Sequence, residues 1–324
     1  MHEKAVIDVH AHILPAIYVE AMREAGLQDA AGNPVGDGFP FPKWTLDDSL
    51  DVMDRFDIAA SILSITAPGI QFCPAEKVRA LARALNHEMA NIVAKFPSRF
   101  ANLAIIPADH PDAALHEIAW ALDTAKFDGI GLYSNAGGRY LGDAFFLPIL
   151  EELNRRAAVV FIHPAQPPSF NDYSLGLPAP ILEYPFDSTR MIASMLVSGA
   201  LMRFRDIKFI VPHGGGTTPY LAHRIARAVA HSSKGKTSPD EAMQALTGLY
   251  YDLTAMGNRA NLALLKEFVP ASRLLVGYDY PFRPADTIKS HVAAFEAFDG
   301  FGGDEKAQIR SGNALGLFPR LRPA

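Results

Sequence analysis

Five ionisable side chains stand just past four short apolar runs, and their types suit a single metal centre. His10 and His12 end Asp8-Val9-His10-Ala11-His12, His163 follows Val159-Val160-Phe161-Ile162, His213 follows Phe209-Ile210-Val211-Pro212, and Asp279 follows Leu274-Leu275-Val276-Gly277-Tyr278. In an extended chain, residues two apart point the same way, so His10 and His12 can converge on one ion. Imidazole nitrogen suits Zn²⁺ and other first-row metals. Taken alone, His-x-His reads equally well as two hydrogen-bonded residues at a strand end. The recurrence of the same residue types at three further strand ends favours the metal. A catalytic zinc keeps three protein ligands and an open position. His10, His12 and His163 supply those three, Asp279 offers a fourth, oxygen, ligand, and His213 is left free as a general acid–base. The expectation is one divalent ion, Zn²⁺ first, with Mn²⁺ also suited.

Residues so far apart in the chain need a scaffold that gathers strand ends. Eight apolar, β-rich runs fill that role: Ala5–Val9, Ala59–Ile65, Ala101–Ile106, Ile130–Tyr133, Val159–Ile162, Lys208–Val211, Leu249–Leu253 and Leu274–Val276. Helical periodicity separates them, over Pro74–Phe96, Asp112–Ala125, Ala144–Arg156, Asp187–Phe204, Thr218–His231, Asn258–Phe268 and Ala285–Phe298. Strands alternating with helices pair in parallel. Their near-continuous apolar character is that of strands covered on both faces. The predicted fold is α/β, a single-domain (β/α)₈ TIM barrel over residues 1–324, with the site at the C-terminal ends of its strands. An open doubly wound sheet is the alternative. It wants a glycine-rich phosphate turn after the first strand, where His10-Ala11-His12 stands instead. Two segments look inserted at the site-bearing face, near residues 27–45 and 164–185. The second of these holds six of the 24 prolines.

With those motifs in place, the chain resembles the amidohydrolase superfamily, in the branch named for aminocarboxymuconate semialdehyde decarboxylase. The resemblance covers nearly the whole chain. It rests on Asp8-Val9-His10-Ala11-His12, Phe161-Ile162-His163-Pro164, His213-Gly214-Gly215-Gly216 with Pro219 and Arg224, and Asp279-Tyr280-Pro281-Phe282. Pro42-Lys43-Trp44-Thr45-Leu46 and Glu183-Tyr184-Pro185-Phe186-Asp187-Ser188-Thr189-Arg190 look most like the 6-methylsalicylate decarboxylase type. The resemblance implies His10, His12, His163 and Asp279 as metal ligands and His213 as the acid–base residue. It also implies that Arg224 reaches a neighbouring subunit's site to grip a substrate carboxylate, hence a homodimer or larger homo-oligomer. Arg224 reads equally as a solvated helix residue. Binuclear members carry a carboxylated lysine at the end of strand four, where this chain has Tyr133-Ser134-Asn135, so one metal is expected. Tyr278 replaces a residue that is commonly small, and its bulk is expected to narrow the pocket or crowd Asp279.

The function implied is metal-dependent, nonoxidative decarboxylation of a hydroxylated aromatic (salicylate-like) or muconate-like carboxylic acid. The alternative is a mononuclear metal-dependent hydrolase of an amide, lactone or carbon–carbon bond, with Asp279 as base. Trp44, with Phe41, is expected to stack on the substrate. Composition excludes several other classes. A net charge of −5 lacks the basic excess of a nucleic-acid or anionic-membrane binder. Cys73 is the single cysteine, so no intramolecular disulfide can form. No signal-peptide pattern or membrane-spanning run is visible, and a cytoplasmic protein with a small-molecule substrate is expected.

Overall fold

The computed structural model describes residues 5–233 and 236–322. Eight strands pair in parallel and in chain order: Val6–His12, Ile58–Ser64, Phe100–Ile105, Gly129–Tyr133, Val159–His163, Lys208–Val211, Tyr250–Asp252 and Leu274–Leu275. They are called strands one to eight below. The ring closes where strand eight and its continuation meet strand one. Val9 N–H donates to the Val276 carbonyl at 2.9 Å, His12 N–H to that of Tyr280 at 2.8 Å, and Asp279 N–H to that of His10 at 2.7 Å. The barrel expected from the eight apolar runs is therefore the observed fold.

Two packed layers hold it. Ile7, Val9, Ala60, Ile62, Ala101, Leu103, Val159, Phe161, Ile210 and Leu275 fill the interior. The outward side chains pack under the helices in a larger cluster. Ala314, Leu317, Phe318 and Leu321 join the interior group from the C-terminal segment. Asn313 donates to the Ala271 and Leu274 carbonyls, both at 2.8 Å, which ties that segment to the start of strand eight. This plug of the barrel floor carries no motif and was not foreseen.

Strand parity decides which residues reach the mouth. On strand five, Val159, Phe161 and His163 follow one another inward with period two. Strand one breaks that rhythm. Ile7 and Val9 are interior, Ala11 joins the outer layer, and the pairing register with strand two shifts between Asp8 and Ala11. Such an irregularity re-aims side chains, and here it turns His10 and His12 into the mouth.

Two expectations need correction. The helix after strand five begins at Ala179, not Asp187, so Pro185 lies inside a helix spanning Ala179–Val197. Pro180 sits in its first turn, where a missing N–H costs nothing. Pro185's carbonyl accepts from Thr189 Oγ1 at 2.8 Å, and Thr189 Oγ1 in turn accepts Thr217 N–H at 2.9 Å. A Cβ at residue 216 would run into the Pro185 carbonyl, and Gly216 holds φ +64° and ψ −125°. Only glycine lets this turn approach so closely. A further helix, Pro239–Thr247, was missed, although its capping box of Ser238 and Glu241 is written in the sequence.

The second correction concerns Tyr278. It points away from the mouth, buried, with its ring 5.5 Å from that of His291 on the helix Ala285–Ala297. It therefore cannot narrow the pocket. His291 is 4% exposed and its Nε2 has no hydrogen-bond partner. Burial, then the charge of Arg283, pushes its pKa down to about 4, with Asp252 offsetting part of the shift. The unfolded chain thus binds the extra proton between pH ~6.5 and ~4 and the folded chain does not, so stability falls as pH falls through that window. Denaturant titrations should show a loss of up to ~3 kcal/mol from this one residue. His291→Asn should flatten the slope relative to the wild type, and an unchanged slope would contradict this assignment.

Candidate metal centre and its pocket

His10, His12, His163 and Asp279 meet at the barrel mouth, each offering a ligand atom within 4.8 Å of the others. The Nε2 atoms of His10 and His12 are 3.1 Å apart, and Asp279 Oδ1 lies 3.4 Å and 3.2 Å from them. Two nitrogens bound to one tetrahedral zinc are roughly 3.3 Å apart, so these spacings suit ligation.

The Nδ1 partners leave Nε2 as the atom that each ring offers to an ion. His163 Nδ1 faces the Pro164 carbonyl at 2.7 Å, and a carbonyl can only accept, so Nδ1 carries the hydrogen. His10 Nδ1 donates to Asp252 Oδ2 at 2.8 Å, with Thr254 Oγ1 at 3.1 Å. His12 Nδ1 donates to Ser64 Oγ at 2.9 Å, whose own hydrogen goes to the Ala11 carbonyl. With all three Nδ1 atoms protonated, three Nε2 lone pairs and a carboxylate converge on one point. The donor set fits a divalent cation, and the outer partners are those that orient ligating histidines.

The charges agree with this. Burial pushes the His163 imidazole well below its ordinary pKa, so it is neutral. Burial opposes ionisation of Asp279, but the surrounding imidazoles outweigh it and hold the carboxyl well below the usual range. At His10 burial is overcome by Asp279 and Asp252, which raise its proton affinity. A second proton and a metal compete for the same Nε2 lone pair, so ligation weakens in acid.

His213 is beside this group, with its ring 5.2 Å from that of His10 and its Nε2 4.0 Å from Asp279 Oδ2. Its Nδ1 is buried without a partner. Both His213 and Asp279 hold positive φ, 55° and 62°, as the chain turns sharply off strands six and eight. At the end of strand four, Ser134, Asn135 and Tyr140 all donate to the Asp187 carboxylate. Those side chains brace the helix Ala179–Val197, and no lysine stands there to bridge a second metal.

The adjoining cavity is about 190 Å³, lined by Phe39, Phe41, Ile181, Tyr184, Phe282 and Arg283 among others, with His163, His213 and Asp279 at one end. Its roof joins the two insertions. Asp37 Oδ2 accepts from Gln166 N–H and from the Tyr184 hydroxyl, both at 2.8 Å. Phe41 lines the cavity and Trp44 does not. Trp44 is half-buried and its indole N–H goes to Ser49 Oγ at 2.8 Å. Arg224 is exposed on the helix Thr218–Ser232 and lies outside the cavity lining of its own chain. Arg190 is also at the surface, 3.8 Å from Glu183.

The residue that sequence reasoning missed is Asp252, at the end of strand seven. Fully buried, it accepts His10 Nδ1–H through Oδ2, and through Oδ1 the backbone N–H groups of His213 and Thr254 at 2.8 and 2.9 Å. The available signal was a carboxylate after Leu249-Tyr250-Tyr251, in the same place on its strand as His163 on strand five. Asp252→Asn loses the charge that holds His10. Competitive chelation should show metal affinity reduced by about 10–100-fold. Wild-type affinity in that variant would contradict the role.

Comparison with known proteins follows this geometry. Residues 7–320 match the amidohydrolase family model. The chain is 38% identical over 323 residues to a 6-methylsalicylic acid decarboxylase of Penicillium expansum, covering 98% of this chain and 97% of the relative. A crystal structure described as amidohydrolase II superposes with a TM-score of 0.90 at 27% identity, covering 97% of this chain and all of the other. A dihydroxybenzoic acid decarboxylase from Polaromonas, solved with manganese and 2-nitroresorcinol, shares the fold with a TM-score of 0.81 at 22% identity over 99% of this chain and 98% of the other. The barrel, the donor groups at its strand ends and the family match agree: this chain belongs to the amidohydrolase family.

Proposed function

We propose that the protein is a metal-dependent, nonoxidative decarboxylase of a hydroxylated aromatic, salicylate-like acid. The observation that carries this reading is a mononuclear donor set opening onto an aromatic-walled cavity of about 190 Å³. A cavity of ~150 Å³ accepts benzene, so this one has room for a single substituted ring. The named decarboxylase relative supports the same chemistry. A muconate-like acid would fit the same site. His10, His12, His163 and Asp279 would hold the ion, Zn²⁺ or Mn²⁺, whose contribution when bound is to polarise and orient the substrate's oxygens.

The remaining chemistry belongs to the chain's own groups. Phe39, Phe41 and Phe282 form a wall against which a ring can lie, with centroids 5.2 Å apart for Phe41 and Phe282. Asp279 Oδ2 and His213 Nε2 lie 4.0 Å apart at the cavity's end, a gap that one bridging water would close for proton transfer. In the reaction a proton reaches the ring carbon bearing the carboxylate. The bond to the carboxylate carbon then breaks, its electron pair returns to the ring, and carbon dioxide leaves. His213 is the residue we assign to restore that proton. Trp44 is left to brace the first insertion through Ser49.

A homodimer is the assembly we favour. Leu175, Leu177 and Ile181 expose apolar side chains in and beside the second insertion, and Ile181 also lines the cavity. A second subunit lying over that rim would bury them and could bring its own Arg224 near. Among the described residues no helix is long and apolar enough to cross a membrane. Hydrolysis of an amide, lactone or carbon–carbon bond would use the same ligands with Asp279 as base, but it releases no carbon dioxide.

His213→Asn tests the reading, because asparagine tolerates the positive φ at this position. With a panel of hydroxybenzoates, the wild type should release carbon dioxide. The variant should keep its metal and lose ~10²–10⁴-fold in turnover. Full turnover in the variant would reject His213's role, and hydrolysis without carbon dioxide would reject the decarboxylase.

A further inference from the structure

The cavity lining carries one guanidinium beside the apolar rings, and nothing in the proposed chemistry has yet used it. Arg283 is the lysine- or arginine-type cation among the lining residues. It follows directly on Asp279-Tyr280-Pro281-Phe282, and its backbone N–H donates to the Asp279 carbonyl at 3.0 Å. The turn that presents the ligand Asp279 therefore also presents Arg283. Its side chain is half-buried, and among the described residues no carboxylate lies within salt-bridge distance of it. Most of the arginines in contact with a carboxylate here, such as Arg83, Arg156, Arg310 and Arg320, sit at 2.6–2.8 Å from it. An unpaired cation on a largely aromatic wall is a place for an anion brought by the ligand.

We propose that Arg283 is the specificity-determining residue that pairs with the carboxylate of the incoming acid, from within the same chain. This rests on the reading of the site as one for aromatic acids. It assigns to Arg283 a share of the grip that the family resemblance gives to a neighbour's Arg224. The physical consequence is directional. The guanidinium pairs with a charge that exists in the acid and vanishes when carbon dioxide leaves. It therefore favours acid over product, and lets the neutral phenolic product go. Because the pair is strongest in the ground state, it acts on binding rather than on the barrier.

Binding to the metal-loaded protein tests this with salicylate and its neutral isostere salicylamide, measured by calorimetry on the wild type, Arg283→Gln and Arg283→Lys. The expected result is a wild-type preference for salicylate that falls ~10-fold or more in Arg283→Gln and recovers in part in Arg283→Lys, with salicylamide affinity unchanged. On a substrate that turns over, Arg283→Gln should raise KM without lowering kcat. Equal losses for both ligands would mean that Arg283 only shapes the wall, and would overturn the proposal. So would a wild type with no preference for salicylate, or an Arg283→Gln protein that keeps it. The binding comparison does not need turnover, so an Arg283-dependent preference without carbon dioxide release would sink the decarboxylase reading and leave this one standing.

Discussion

The structure depends on the direction of three imidazole lone pairs. Convergence of three Nε2 atoms and a carboxylate is unfavourable unless a cation shares them, and it persists only because each ring is held from behind. Asp252 holds His10, Ser64 holds His12, and the Pro164 carbonyl holds His163. Asp252 and Ser64 stand on other strands than the rings they hold, while Pro164 directly follows His163, so the candidate metal centre needs the closed barrel as well as its local motifs. Asp252 reaches furthest, because the same carboxylate also fixes the backbone of His213. One buried charge thus sets both a ligand and the proposed acid–base residue.

The barrel supplies this arrangement through parity and closure. Inward residues alternate along strands five and seven, which delivers His163 and Asp252 to the mouth, and Asp279 joins them from the sharp turn that follows strand eight. Strand one needs a register shift to bring His10 and His12 to the mouth above Ile7 and Val9. Asp8 reinforces the seam there, its Oδ1 accepting the N–H groups of His10 and Tyr278 at 3.0 Å each. The insertions then build part of the cavity wall over this base, joined through Asp37 to Gln166 and Tyr184.

Much of this was legible in the chain. The barrel followed from eight apolar runs, and the cluster of His10, His12, His163, His213 and Asp279 from ionisable residues just past four of them, because burial on both faces and strand-end placement leave a direct mark on residue type. Asp252 was hidden because its strand has the same apolar pattern as the others and a single aspartate has no spacing to read. Tyr278 was misread because bulk was considered without parity, and one step along a strand moves a side chain to the other face. The helix start at Ala179 was hidden by prolines, which mark loops and first turns alike. Neither the roof pairing of Asp37 with Tyr184 nor the floor plug at Ala314–Leu321 has a local signature, since both join segments far apart in sequence.

The most direct test of the account is the metal content of the purified protein, by elemental analysis at neutral pH. One equivalent of a divalent transition metal per chain, Zn or Mn, is the predicted result. No metal would mean that the converging lone pairs serve another purpose, and two equivalents would contradict a site whose fourth strand offers no bridging ligand.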